Sequence, residues 1–472
     1  MEKEQAASIR WILAALSLSV LLSSIGTSVA NVSLPTLAQA FEATFQQVQW
    51  VVLAYLLTIT TMVVSVGRLG DIAGRRRLLM IGVLLFTTAS ALCASAPTLW
   101  LLIAARAAQG LGAATMMALT MAFVGETVPQ ARVGRAMGLL GTMSAAGTAL
   151  GPSLGGFLIA AFGWPAIFFI NVPLGMTILL LIHRYLPADE SRPQVIQPGF
   201  DVMGTMLLAA TLAAYALAMT VGRGHFGLRN SGLLVVAFLG IGLFIVAERR
   251  AGSPLIRLAM FRNASLRASL AMSLFVSTVM MATLVVGPFY LSRSLGLSAG
   301  WLGLVLSVGP LCAAMAGVPA GRFVDDMGAP RMTRLGLIGI AAGCVLLSAL
   351  PSTVGAMGYL LSIVVLTVGY AMFQTANNTA VMMDISSDQR GVISGLLNLS
   401  RNVGLITGAS VMGALFTYAS GTTDIITAAP EAVATGMRIT FAIAGVLTVV
   451  ALLLSEGSRA AYTGPVLAEK TS

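Results

Sequence analysis

The chain has 472 residues, 57% of them hydrophobic and 9% charged, with a formal net charge of +10 and a mean hydropathy of +0.92. Soluble domains carry roughly 25% charged residues and need polar stretches of about 100 residues, whereas the longest relatively polar run here is residues 185–201. Composition therefore excludes a soluble globular protein and assigns the whole mass to the membrane. The basic excess is not a nucleic-acid signature: of 27 cations only Lys3 and Lys470 are lysine, and the arginines cluster in short loops between apolar spans, so the charge is read as topology.

A bilayer core takes about 20 apolar residues per helix. With breaks at charged or Gly/Pro loops, the spans fall near 11–33, 47–66, 78–96, 99–122, 135–161, 165–183, 202–222, 231–248, 267–291, 300–320, 333–350, 356–380, 392–418 and 437–455, fourteen helices with both termini on one side. The first span has no A-x-A cleavage site and is read as a retained helix. With a cytoplasmic N-terminus, 21 Lys and Arg fall inside, and only Arg223, Arg229, Arg293 and Arg438 fall outside. The bias fixes the expected direction. Trp11 lies at a helix entrance inside, and Trp50, Trp100, Trp164 and Trp301 at entrances outside, as expected of interfacial rings.

Along the chain, "SSIGTSVANVSLP" (23–35) sets Ser24, Thr27, Ser28 and Asn31 on one uncharged stripe of the first span, a hydrogen-bonding cavity wall. The loop after the second span, "GRLGDIAGRRR", carries Gly67, Asp71, Gly74, Arg75 and Arg76. Its glycines permit a tight turn and its arginines hold it at an anionic surface. Arg106 lies about eight residues into the fourth span, roughly 12 Å deep at 1.5 Å per residue, with Gln109 on its face. An intramembrane Arg is costly and usually functional; the alternative is an Arg bonded to backbone carbonyls that pins two helices. Gly147, Gly151, Pro152, Gly155 and Gly156 give the fifth span a nearly smooth face for close packing and bending. "SPLIRLAMFRNASLR" reads as a short amphipathic interfacial helix. In the twelfth span Tyr370, Gln374, Asn377 and Asn378 form a neutral stripe, cavity lining or interhelical glue, and Arg401 lies deep in the thirteenth. Cys93, Cys312 and Cys344 sit singly in apolar spans, so neither a disulfide nor a metal site is expected.

Two segments recur. Gly67, Asp71 and Gly74 reappear as Gly321, Asp325 and Gly328, 254 residues later, and Gly134, Gly138, Gly147 and Gly151 reappear as Gly391, Gly395, Gly404 and Gly408, 257 residues later. The chain thus divides into an N-terminal six-helix half (1–190), two inserted helices (191–250), the interfacial helix (251–265) and a C-terminal six-helix half (266–472). Parallel halves with a site between them are the architecture of a rocking transporter.

At these residues the chain resembles the major facilitator superfamily, in particular its fourteen-helix drug:proton antiporter branch. "GRLGDIAGRRR" looks like the superfamily's signature loop and "RAAQGLGAA" (106–114) like its fourth-helix motif. "GTALGPSLGG" (147–156) is similar to the antiporter motif, and "GWPAIFFINVPLG" (163–175) and "NVSLP" (31–35) to patterns of the branch. The resemblance implies efflux by proton antiport, with Arg106 in proton coupling. It also implies that Asp71 docks on the start of the thirteenth span near Gly391 and locks an outward-facing state, and by symmetry that Asp325 docks near Arg135. A merely structural loop charge is the alternative. The branch usually has a carboxylate where this chain has Gly26.

No acid is expected at mid-membrane, so proton carriage falls to Asp71, to an edge acid such as Glu126 or Asp384, or to a group the sequence does not identify. With Arg106 and Arg401 as the only deep charges, small neutral, zwitterionic or anionic amphipathic substrates are favoured over strongly cationic ones. The expectation is a monomeric exporter in the inner (plasma) membrane, its partners being lipid, protons and substrate. It needs no nucleic acid, metal or cofactor and runs on the proton gradient. Alternatives are an exporter or facilitator of one metabolite, lipid or siderophore and, remotely, an intramembrane enzyme, for which His183 and His225 are isolated near opposite faces and no Gly-rich loop precedes a lysine.

Overall fold

A computed structural model describes residues 2–127, 130–187, 201–221, 227–252, 254, 258–351, 354–383, 390–422, 425 and 427–462. Fourteen helices among them are long and apolar enough to cross a membrane. They are α1 (Glu2–Ala40), α2 (Phe45–Ala73), α3 (Arg75–Ala94), α4 (Leu99–Thr127), α5 (Gln130–Phe162), α6 (Ala166–Phe169 and Asn171–Tyr185), α7 (Val202–Thr220) and α8 (Leu228–Arg250), followed by α9 (Ala264–Phe289, ending in a π-helical turn, Tyr290–Ser294), α10 (Ala299–Met327), α11 (Ala329–Ala349), α12 (Gly355–Met383), α13 (Arg390–Thr407, a π-helical turn Gly408–Met412, then Gly413–Ala419) and α14 (Pro430–Tyr462). Large apolar side chains such as Leu84, Phe157, Leu180, Phe238, Met315, Val345 and Leu453 face outward, as a hydrocarbon solvent requires.

Local chemistry sets the boundaries. Thr44 and Gln47 form a reciprocal capping box at the start of α2. Asp201 caps α7 by accepting from the Gly204 amide at 2.8 Å, and Asn263 accepts from Ser265 and Leu266 at the start of α9. The segment expected as an interfacial helix is described as one 3-10 turn, Leu258–Arg262; the Asn263 cap gives its last residues to α9.

The internal repeat is visible in geometry. The α2–α3 and α10–α11 turns pivot on Gly74 and Gly328 at φ 91° and 83°, a region that costs glycine nothing. These turns mark the arginine-rich end; the α1–α2 and α9–α10 turns mark the opposite, far end. In the N-terminal half, Ser28 Oγ on α1 donates to the Gly147 carbonyl on α5 at 3.1 Å. In the C-terminal half, Thr278 Oγ1 on α9 donates to the Gly404 carbonyl on α13, also at 3.1 Å. A Cβ on Gly112 would lie 2.6 Å from the Gly82 carbonyl, and one on Gly369 would lie 2.7 Å from the Gly336 carbonyl, so α3–α4 and α11–α12 cross at equivalent bare points. Without water to drive apolar burial, such close approach is the main source of helix association in lipid.

The inserted helices lie over the seam between α2 and α13. Ser65 and Thr205 hydroxyls meet at 2.7 Å and Trp50 Nε1 donates to Thr220 Oγ1 at 3.0 Å, which fastens α7 along α2, while Tyr215 donates to Thr407 on α13 at 3.1 Å. α8 packs on α7 and turns Val235, Phe238, Leu239 and Leu243 outward.

Candidate transport site

Among the described residues the largest fully buried side chain is Arg106. Its guanidinium lies inside the N-terminal bundle. Nε donates to the Val51 carbonyl on α2 at 2.9 Å, and Nη1 donates to the Gly26 carbonyl on α1 at 3.1 Å and to Gln109 Oε1. Gln109 Nε2 in turn donates to Ser90 Oγ on α3 at 2.7 Å. The cation stands 4.1 Å from the Tyr55 ring centroid and 5.9 Å from that of Phe168 on α6. Tyr55 donates to the Ser23 carbonyl at 3.0 Å and accepts from Thr27 at 3.3 Å.

Arg106 and Gln109 together thus tie five helices, α3 being reached through Gln109. Carbonyl dipoles and two ring faces stand in for a carboxylate in holding the charge, and Arg106 Nη2 has no hydrogen-bond partner among the described residues. Close approach makes this possible, since a Cβ on Gly110 would lie 2.7 Å from the Tyr55 carbonyl. Gly26 has no room for a larger residue either: its Cβ would lie 2.8 Å from Phe86 Cζ. A side chain at this position would have to shift the Phe86 ring.

The stripe on α1 divides. Ser28 is buried on the Gly147 carbonyl, and Ser24 meets Ser144 of α5 at 3.1 Å. Asn31 is buried, with Nδ2 on the Thr27 carbonyl at 3.2 Å and Oδ1 unpartnered. Ser24 and Thr27 remain half-buried, as do Tyr370 and Gln374 on α12 and Arg401 on α13, while Asn378 is exposed. Asn377 is buried and reaches the Ser269 carbonyl of α9 at 3.4 Å. Gln109 faces the bundle interior and touches Arg106, not the α12 stripe. The antiporter-motif glycines divide as well: Gly147, Gly151 and Gly155 abut Ser24, Ser28 and Val29 of α1, whereas Gly156 abuts Ala299 and Gly303 of α10, and Gly303 in turn abuts the Pro152 carbonyl.

The loop residues Gly67 and Gly321 fall in the last turns of α2 and α10, and Arg76 donates to the His183 carbonyl of α6. The side chains of Asp71, Glu126, Arg135 and Asp325, the surroundings of Gly391 and the whole of Asp384 lie outside what is described.

Sequence reasoning missed the far end. Gln46 Nε2 donates to Thr417 Oγ1 at 3.0 Å and Gln49 Nε2 to the Ala409 carbonyl at 2.9 Å, both across the two halves. Phe45 packs on Phe289 and Phe416 with centroids 4.7 and 5.5 Å apart. A Cβ on Gly156 would lie 2.5 Å from the Ala299 carbonyl. The halves are clasped at this end along two seams, α2–α13 and α5–α10. The detectable signal was a run of three glutamines at a largely apolar helix start, Gln46, Gln47 and Gln49, of which Gln47 is taken by the capping box.

The family model of the Major Facilitator Superfamily matches residues 16–409 and 270–463. The chain belongs to the Major Facilitator Superfamily. It is a multi-pass membrane transporter and not an enzyme. It is 29% identical over 408 residues to the riboflavin transporter RibZ of Clostridioides difficile, covering 86% of this chain and 88% of that protein. It is 31% identical over 392 residues to the multidrug resistance protein Stp of Mycobacterium tuberculosis, covering 82% and 72%. The multidrug efflux pump LfrA of Mycolicibacterium smegmatis is 29% identical over 416 residues, covering 86% and 81%. In fold, the chain resembles a bacterial homologue of the lysosomal transporter Spinster in an inward-facing conformation, with a TM-score of 0.68, 16% identity and coverage of 96% and 97%. It also resembles a D-xylose-proton symporter, with a TM-score of 0.65, 16% identity and coverage of 95% and 97%.

Proposed function

We propose that the protein exports small amphipathic compounds by proton antiport, alternating access between its two halves. The observation that carries the alternating-access part is the clasp at the far end: a seam of touching backbones and a seam of buried amides close one mouth between pseudo-symmetric halves, a closure that a rocking cycle makes and breaks. The antiporter-type glycine face of α5 and the relatives named as multidrug transporters support export. The Lys and Arg bias, 21 against four, supports placing the arginine-rich end and both termini in the cytoplasm, with the chain in the inner (plasma) membrane as a monomer. In this orientation the clasped mouth is the one on the outer side of the membrane.

Substrates are neutral, zwitterionic or anionic, because Arg106 has no acidic partner among the described residues and the Phe86 ring lies against Gly26. Asp71 and Asp325 serve as gate charges at the cytoplasmic end, and Asp71→Asn lowers transport while leaving expression intact. The proton is carried by Asp71, by Glu126 or Asp384 at the membrane edge, or by a further group that the sequence does not identify, while Arg106, which stays protonated, takes part in the coupling.

A second reading is a transporter dedicated to one planar metabolite, favoured by the 29% identity to a riboflavin transporter over 86% of the chain. Growth of an expressing, pump-deficient host across a chemically diverse toxin panel, with riboflavin transport measured alongside, separates the two. Protection against several unrelated uncharged or anionic toxins supports multidrug export. Protection against none, with riboflavin moved, supports the dedicated transporter.

A further inference from the structure

The structure assigns Gln49, backed by Gln46 and Phe45, as the latch that holds the far end closed, positioning residues for the transport cycle. The assignment rests on the alternating-access reading. The capping box of Thr44 and Gln47 fixes where α2 begins, so Phe45, Gln46 and Gln49 stand within one turn of each other on the face toward α13. Gln46 and Gln49 are 3% and 1% exposed. The Gln49 amide donates to the carbonyl of Ala409, inside the π-helical turn Gly408–Met412 of α13, a type of irregularity that recurs at functional sites. Next to it Gly413 forms a notch, because a Cβ there would lie 1.8 Å from Gln49 Nε2. Any larger residue evicts the amide.

The internal repeat shows that this arrangement is particular to one seam. At the 254-residue offset, Phe45, Gln46 and Gln49 correspond to Ala299, Gly300 and Gly303 of α10, and at the 257-residue offset Gly413 corresponds to Gly156 of α5. Gly156 meets Gly303 backbone to backbone, its Cβ position 2.8 Å from the Gly303 Cα. Where the α5–α10 seam closes on bare glycine, the α2–α13 seam closes on a glutamine side chain seated in a glycine notch. The latch can also let go: Oε1 of both Gln46 and Gln49 is buried without a hydrogen-bond partner. Such an acceptor is satisfied only when water enters, so opening the mouth hydrates both groups.

The test is the distance distribution between spin labels on Ser95→Cys and Glu431→Cys, exposed positions in the far-end regions of the two halves, measured in the full-length protein with Cys93, Cys312 and Cys344 replaced. Gln49→Leu keeps the volume and removes the donor; Gly413→Ala fills the notch from the other side. Both are expected to raise the long-distance population about three-fold or more over the native sequence in protein that still unfolds in one cooperative thermal transition. Thr60→Val, which removes only a bond to its own helix at Leu56, is expected to leave the distribution as it is. Gly156→Leu, which wedges the α5–α10 seam, separates the two possible failures. If Gly156→Leu opens the end and neither Gln49→Leu nor Gly413→Ala does, the latch is wrong and alternating access stands. If no variant opens it, both fall.

Discussion

Arg106 and Ile363 occupy the same position in the two halves, 257 residues apart, and their surroundings are opposite in character. Around Arg106 stand Tyr55, Gln109 and Ser90; the repeat puts Gly309, Leu366 and Cys344 at the equivalent places. Ile363 Cγ2 lies 3.2 Å from the Cβ position of Gly309, so an apolar contact replaces the cation and ring. The halves share a backbone and differ in chemistry, and among the described residues the polar cluster has no counterpart at the equivalent places in the C-terminal half.

Arg106→Lys tests what that cluster needs. A lysine keeps the charge but cannot reach carbonyls on α1 and α2 together from a planar fork. The expected cost is about 1–3 kcal/mol of stability, read as a lowered thermal unfolding midpoint in detergent, together with at least a roughly ten-fold loss of transport. Native transport by Arg106→Lys would mean that the cluster's geometry is not used.

Gly26→Asp puts a side chain against Phe86, an overpacking expected to cost about 1–3 kcal/mol. Phe86→Ala opens that space at the cost of a cavity, yet the double variant is expected to be more stable than the sum of the two losses predicts, since the new carboxylate then reaches Arg106. A double-mutant cycle on unfolding midpoints checks the coupling. Transport of a cationic dye by the double variant, absent in the native protein, is the accompanying functional change.

The hydroxyls of Ser28 and Thr278 give a prediction of small effect. Each bridges two helices through one bond to a glycine carbonyl at 3.1 Å, a kind of contact worth about 0.6 kcal/mol in membrane proteins. Ser28→Ala and Thr278→Val are therefore expected to shift unfolding by similar small amounts and to add independently. By contrast, Gly112→Ala and Gly369→Ala each force a methyl against a backbone carbonyl, at 2.6 and 2.7 Å, and are expected to cost more than either hydroxyl.

Much of the fold was legible because membrane helices follow one rule, a long apolar run between charged or glycine turns, and because two glycine spacings betrayed the repeat. Gly74, Gly147 and Gly404 were readable for this reason: a turn with positive φ or a backbone contact tolerates little else. The site was legible only in part. Arg106 stood out as a charge in an apolar span, but spacing along α4 could not tell whether it faced the cavity or Tyr55. Ser28 and Gln109 looked like cavity groups and are occupied with bonds inside the N-terminal half, since helical periodicity gives a face without naming the neighbour across it. Gln49 was hidden because its meaning depends on Gly413, 364 residues away, and on a π-helical turn that no local pattern announces.

The most direct test of proton-driven export is substrate accumulation in inside-out vesicles carrying the protein, with and without an imposed proton gradient. Accumulation of an uncharged or anionic amphipathic compound is expected when the lumen is acid, abolished by a protonophore and strongly reduced in Arg106→Lys. Accumulation at the same rate with the gradient present and collapsed would contradict proton-driven export.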